Sequence, residues 1–214
     1  MSKMESDWSK RILTVVLNYI PLLHVMMCVL LLIGLMKIGL AVAIAGALFI
    51  LYIFPPLLAR VLLRLHPLRR QQIPVGSSDY FIWWTIFCLQ VVFLRFPFLE
   101  EMLRMIPGLY SAWLRLWGAK IGRFTYWTPG TIILDRPFIQ IGNFVVFGAG
   151  VRLNPHVIDG NDLILAPVII EDNVTVGGYS LLTSGTVLRK NQAVKAFLIS
   201  PPFSVWQDNK RVGK

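Results

Sequence analysis

Acidic residues are scarce. Only 11 Asp and Glu stand against 21 Lys and Arg in 214 residues, and charged side chains of both signs make up 15% of the chain. A soluble domain carries about 25%, so this composition excludes a surface that faces water throughout. Hydrophobic residues at 56% put part of it against lipid, and most of the excess precedes residue 100. Cysteine is nearly absent: Cys28 and Cys88 both lie inside apolar segments. That excludes a disulfide scaffold and any cysteine-based metal framework. Histidine is equally sparse, with His24 and His66 in or near the apolar half and His156 alone beyond it.

The net charge of +10 suggests nucleic acid, but the placement of the basic residues argues for a membrane surface. Arg60, Arg64, Arg69 and Arg70 follow directly on a long apolar stretch, where basic residues hold the cytoplasmic side and meet anionic headgroups. Two uncharged runs, Ile12 to Met36 and Ile38 to Ala59, each reach the roughly 20 residues that a transmembrane helix needs. Lys37 and Gly39 mark the turn between them. The first run is too long for the core of a cleaved signal peptide, and a second follows at once. Lys3, Lys10 and Arg11 precede this hairpin and arginines follow it, which predicts both ends in the cytoplasm. Pro21, Pro55 and Pro56 are candidate kinks, and Asn18 and His24 are candidates either for hydrogen bonding within the bundle or for marking a lipid-substrate path.

Tyr80 to Leu94 is a third uncharged stretch, ending in Arg95 and Pro97. It is short for a span and reads as interfacial or re-entrant, a depth that suits Trp83, Trp84, Trp113 and Trp117. The basic residues after it, Arg104, Arg115, Lys120 and Arg123, keep the remainder on the cytoplasmic side. Leu99 to Gly118 then predicts amphipathic helices broken at Pro107 and Gly108. Four regions follow: a hairpin over 1–70, interfacial helices over 71–118, a repeat domain over 119–194 and a basic tail over 195–214.

In the repeat domain apolar residues recur every six positions: Ile121, Trp127, Ile133; Ile141, Phe147, Leu153; Ile170, Val176, Leu182, Leu188. Four residues after these stand small or apolar ones, among them Thr125, Thr131, Val145, Val151, Val174, Ser180 and Thr186. One large inward side chain per hexad with glycines at tight corners is the sequence form of a parallel β-helix. The period slips twice. Ile133 to Ile141 is eight residues, and Leu153 to Ile170 contains an inserted loop. About three coils are expected, with the preceding helices capping one end and the tail either covering the other or packing on a neighbouring subunit.

The stretch from Ala119 to Val194 resembles the hexapeptide-repeat acyltransferases, particularly the xenobiotic and polysaccharide O-acetyltransferase branch. The likeness rests on "GAKIG" at the first coil, "NPHVIDG" at the inserted loop and "APVIIEDNVTVGGYSLLTSGTVL" closing the helix. Membrane segments ahead of such a domain are similar to the membrane-bound C-terminal region of polylysine-synthetase-like proteins. The resemblance implies a left-handed helix, a homotrimer and active sites between neighbouring subunits. It also implies acetyl-CoA, or another acyl-CoA, as co-substrate, and His156 as catalytic base with Asn154 in the same motif. Imidazole has the near-neutral pKa that removing a hydroxyl proton requires. Asp159 or Asp162 would orient it, or would simply form the "DGND" turn. The resemblance places coenzyme A along the coil edges, near Gly178, with Arg189 and Lys190 for its phosphates; Lys195, Lys210 and Arg211 fit a basic end near anionic lipid.

The leading expectation is a membrane-anchored O-acetyltransferase acting on a membrane-associated glycan, lipid-linked or polymer precursor, on its own or docked to a membrane synthase. Two alternatives stand beside it. A carbonic-anhydrase-like zinc site would need three histidines, which one chain does not offer after the membrane half. A non-catalytic trimeric scaffold for a polymer-synthesis or transport complex would use His156 structurally.

Overall fold

The structure, a computed structural model, describes residues 3–69 and 71–213, with side chains from Trp8 onward; Arg70 and Lys214 of the basic segments lie outside the described residues. The chain divides into two compact units, one running to Leu68 and including Val75–Arg95, the other combining Arg69–Pro74 with everything from Phe96.

The first unit is helical. Helices α1 (Lys3–Leu17) and α2 (Ile20–Leu35) meet at a two-residue turn just before Pro21, whose ring cannot supply the next N–H. After the turn at Lys37 come α3 (Leu40–Leu48), a π-helical turn over Phe49–Ile53 and α4 (Phe54–Leu65). Trp8–Leu35 and Leu40–Leu65 are each long and apolar enough to cross a membrane. Pro55 and Pro56 explain the π turn, because neither can donate to a carbonyl one turn earlier. The side chain of His24, 5% exposed, donates its Nε2–H to the carbonyl of Ile50 in that turn at 2.9 Å. Asn18 accepts from the indole N–H of Trp84 at 3.1 Å. Both polar groups therefore serve the packing of the bundle.

Helix α5 (Ser78–Arg95) is unbroken over the third apolar stretch and packs on α2 and α4. Its 18 residues span about 27 Å at 1.5 Å per residue. Trp83 is buried in this packing, so it is a core side chain and not an interfacial anchor. Region 71–118 is thus not one layer: α5 joins the helical unit, and the segments on either side of it belong to the second.

The second unit is a left-handed parallel β-helix. Three sheets form its faces, and their pairings fix the coil. Ile170 lies beside Leu188, and Leu188 beside Trp206, each an offset of 18 residues, or three hexads. Ile121 beside Ile141 is an offset of 20 and Ile141 beside Ile170 one of 29, so two and eleven residues are extra in the first two coils. All ten hexad residues named above point inward and are buried. Trp127 stacks on Phe147 with centroids 4.6 Å apart, an internal ladder between the first two coils. The coils approach so closely that a Cβ on Gly122, Gly142 or Gly148 would collide with backbone of the next coil.

The β-helix also continues past residue 194. Ile199–Ser200 pairs with Leu181–Thr183, and Val205–Gln207 pairs with Val187–Leu188 before turning back antiparallel as Lys210–Gly213. The expected tail therefore completes a fourth coil, begun at Val187, and adds a closing hairpin. Its register is hard to read in sequence because the inward position at 200 is a serine, whose hydroxyl is bonded to Thr183 and Thr186. The first coil is covered by α6 (Phe98–Arg104) and α7 (Leu109–Leu116). Trp113 and Trp117 are buried there, again core residues, and Ser111 accepts from the indole N–H of Trp127 at 2.9 Å.

Candidate active site

Each coil turns three corners, and both irregularities of the repeat fall at the same one, between the third face and the first. In the first coil the two extra residues form a 3-10 turn over Arg136–Phe138, immediately after Asp135. In the second the eleven extra residues form a hairpin, His156–Asp159 with Asp162–Leu165. The short segment between Leu68 and Val75 adds a third strand, Gln72–Pro74, antiparallel to Asp162–Leu165, with Ile73 and Leu163 both buried. The two modified corners bring together side chains 21 positions apart. His156 Nδ1 hydrogen-bonds Asp135 Oδ2.

Asp135 is 1% exposed. Burial acts to lower the His156 pKa, but the Asp135 charge and its hydrogen bond outweigh it, and the net shift is upward. With Nδ1–H donated to the carboxylate, the neutral ring carries its lone pair on Nε2.

Asp159 and Asp162 face each other at the hairpin's far end, where Asp162 accepts from Gln72 Nε2 at 2.8 Å. Asp159 lies three residues along the strand from His156, about 10 Å at 3.3 Å per residue. The carboxylate on the imidazole is Asp135, not Asp159 or Asp162. Its signal was the two-residue slip between Ile133 and Ile141; what the sequence does not display is that this corner stacks under the inserted loop.

A buried network holds the Asp135 corner from the neighbouring helices. Arg136, wholly buried, pairs with Glu100 of α6 and lies over the rings of Trp113 and Trp117 at 5.4 and 5.7 Å. Glu100 also accepts from Arg104 at 2.9 Å and from the Tyr110 hydroxyl at 2.6 Å. Burial and the Glu100 charge push the Tyr110 pKa far upward, which keeps its hydroxyl a donor. Arg104 reaches the carbonyl of Thr131 at 2.7 Å and so ties α6 to the first coil.

Asn154 ends the third-face strand of the second coil, two residues before His156, and its buried Oδ1 has no hydrogen-bond partner among the described residues. Gly178 lies at a different corner, between the second and third faces, where a Cβ would come within 3.1 Å of the Ala149 carbonyl. Arg189 and Lys190 lie at the remaining corner. Arg189 pairs with Glu171 at 2.8 Å, whereas the Lys190 side chain has no acidic partner among the described residues. One chain therefore brings His156, Asp135 and Asn154 together but leaves Gly178 and Lys190 on two other corners. Among the described residues, no group of three or more His, Cys, Asp or Glu could hold a metal ion.

No known family model and no curated protein matches the chain. Among solved structures it is similar to a hexapeptide-repeat-containing acetyltransferase of Vibrio cholerae, with 17% identity over 54% of this chain and 85% of that one and a TM-score of 0.41. A structure of the protein of that name from the O1 El Tor biovar, complexed with acetyl coenzyme A, is 19% identical over 55% and 82%, with a TM-score of 0.30. A galactoside acetyltransferase in complex with coenzyme A is 17% identical over 52% and 74%, with a TM-score of 0.34. The strand register of this chain itself, with offsets of 18 residues and one inward side chain per hexad, makes it a hexapeptide-repeat β-helix.

Proposed function

We propose that this protein is a membrane-anchored acyltransferase that moves an acyl group, acetyl in the simplest case, from coenzyme A to a hydroxyl of a membrane-associated glycan or lipid-linked precursor. The observation that carries this reading is the pair of buried Asp135 and part-exposed His156 at the corner where both departures from the hexad repeat meet.

His156 Nε2 takes the acceptor hydroxyl's proton as its oxygen attacks the thioester carbonyl. The C–S bond then breaks, and the coenzyme A thiolate recovers the proton from the imidazolium. Asp135 fixes the tautomer and stabilises the imidazolium, the division of labour found wherever a carboxylate orients a catalytic histidine. The orphaned Oδ1 of Asn154 suits an N–H or O–H of a bound substrate, which a buried acceptor needs. For the coenzyme, the residues fit in part: Lys190 is the uncompensated cation for a phosphate, while Arg189 is already engaged by Glu171.

Because Lys190 and Gly178 occupy other corners, a complete site takes its parts from two copies, which favours a closed homotrimer. The basic flanks of the apolar hairpin put both termini on the cytoplasmic side, where acyl-CoA is found. The test is acetyl-CoA consumption by the purified full chain with a lipid-linked glycan acceptor. His156→Ala is expected to lose about 10²- to 10⁴-fold at unchanged melting temperature. Equal turnover in wild type and variant removes His156 from the chemistry.

A further inference from the structure

A cavity of about 480 Å³ opens beside the first coil, lined by the N-terminal turn of α7 and the corner that follows Gly122. It is not at the Asp135–His156 corner, and no step proposed above uses it. Its lining includes Arg104, Arg115 and Arg123 and no carboxylate. Arg104 is neutralised by Glu100 and Glu101, but the other two cations have no acidic partner among the described residues. Arg115 donates from Nε and one terminal nitrogen to the carbonyls of Ile121 and Gly122, at 3.0 and 2.9 Å. This fixes the guanidinium plane while leaving N–H groups over. The Arg123 side chain has no ion-pair or hydrogen-bond partner among the described residues.

Aromatic residues in the left-handed conformation recur at the coil corners, with Tyr179 and Phe197 stacked in the same way at another one, but at this corner Phe124 borders the cavity. In the later coils the equivalent left-handed positions are Asn173 and Asn191, with φ of 57° and 59°, residues that tolerate this conformation. In the first two coils they are Phe124 and Phe144, with φ of 55° and 56°. Phe124 is 74% exposed. The two rings stack, with centroids 5.1 Å apart and planes 14° apart, and make an apolar ledge at the cavity mouth. A guanidinium pair matched to a phosphate beside an exposed hydrocarbon surface is the recognition chemistry of an anionic amphiphile.

We propose that this cavity binds a phosphate carried on an acyl or prenyl chain, the phosphate on Arg115 and Arg123 and the chain along Phe124 and Phe144. The tether supports a lipid source. Membrane-length apolar helices precede this unit in the same chain, and α6 begins three residues after α5 ends.

The experiment measures binding of radiolabelled dihexanoyl phosphatidate to the full chain in a neutral detergent. Inorganic phosphate, dihexanoyl glycerol and coenzyme A serve as competitors. Two variants are compared with wild type, Arg123→Gln and Phe124→Asn, the second chosen because asparagine already occupies this corner in later coils. Saturable binding is expected, weakened at least tenfold by either variant with no fall in melting temperature. Dihexanoyl glycerol and inorganic phosphate should compete at least tenfold less well than unlabelled phosphatidate. Unchanged binding in both variants overturns the site. Competition by dihexanoyl glycerol as strong as by phosphatidate shows that the phosphate is not read. Equal competition by inorganic phosphate makes this a free-anion site, and displacement by coenzyme A at lower concentration than phosphatidate assigns it to the acyl donor. Each of those results also overturns the proposal, and none bears on His156.

Discussion

At the scale of single residues, a catalytic His156 as proposed would link activity and stability with opposite signs. Its pKa is raised because the Asp135 charge and hydrogen bond outweigh burial, so the neutral base is available only above that raised value. The rate should therefore climb with pH through the neutral range and then level off. The stabilisation runs the other way: the ion pair contributes in full below the ordinary imidazole value of 6.5 and is lost as pH rises through the folded-state value. Asp135→Asn removes both raising influences and leaves burial, so the acidic limb of the pH–rate profile should move to lower pH while the plateau falls. A limb that stays in place would mean that Asp135 does not set the histidine's titration. Arg136→Ala is a separate test of the support behind Asp135. It breaks an ion pair that is wholly buried on the arginine side and should cost about 3 to 5 kcal/mol, read from denaturant melts of the detergent-purified protein. A loss under about 1 kcal/mol would place the stabilisation of this corner elsewhere.

At the scale of elements, the hairpin that carries His156 is held by few groups. Ile73 of the added strand packs opposite Leu163, and Gln72 bonds Asp162 at 2.8 Å. Ile73→Ala should leave the coils folded but loosen the hairpin, giving faster hydrogen exchange at residues 157–165 than in the β-helix and a lower rate at saturating substrate. Exchange that quickens equally through residues 174–194 would show instead that hairpin and coils open as one unit. The sequence reveals the coils well because an inward residue every six positions leaves a periodic trace that survives two interruptions. It reveals the hairpin only as a gap, since its strands pair antiparallel with each other and with residues 72–74 rather than in hexad register. Asp135 was hidden for the same reason: it sits in a two-residue excess with no period of its own, and its partner comes from the next coil. The final coil was hidden because Ser200 and Trp206 at the inward positions break the aliphatic pattern. Trp83, Trp113 and Trp117 misled in the opposite direction. Tryptophan next to apolar runs suggests a bilayer interface, but these rings are consumed by packing within the helices and against the first coil.

At the scale of the whole molecule, the proposed site, with its groups on separate corners, would make a quantitative demand on assembly. Each face of the coil holds one hexad, so His156 and Lys190 stand on different edges of the prism, about 15 to 20 Å apart if six nearly extended residues separate edges. An extended pantetheine arm can bridge that distance, but the two groups stand on edges that face different directions, whereas neighbouring copies around a threefold axis can present the histidine edge of one to the lysine edge of the next. Mixing subunits tests this directly. Chains carrying His156→Ala and chains carrying Lys190→Ala are each expected to be weak alone, the second through a higher KM for acetyl-CoA. If a site takes its histidine from one copy and its lysine from the next, a random equal mixture restores both native residues at roughly a quarter of sites, the product of two even chances in a cyclic assembly. Turnover of the refolded mixture at low acetyl-CoA should then rise toward about a quarter of wild type. If histidine and lysine act within one copy, no mixture creates a native pair, and activity stays at the average of the two defective parents.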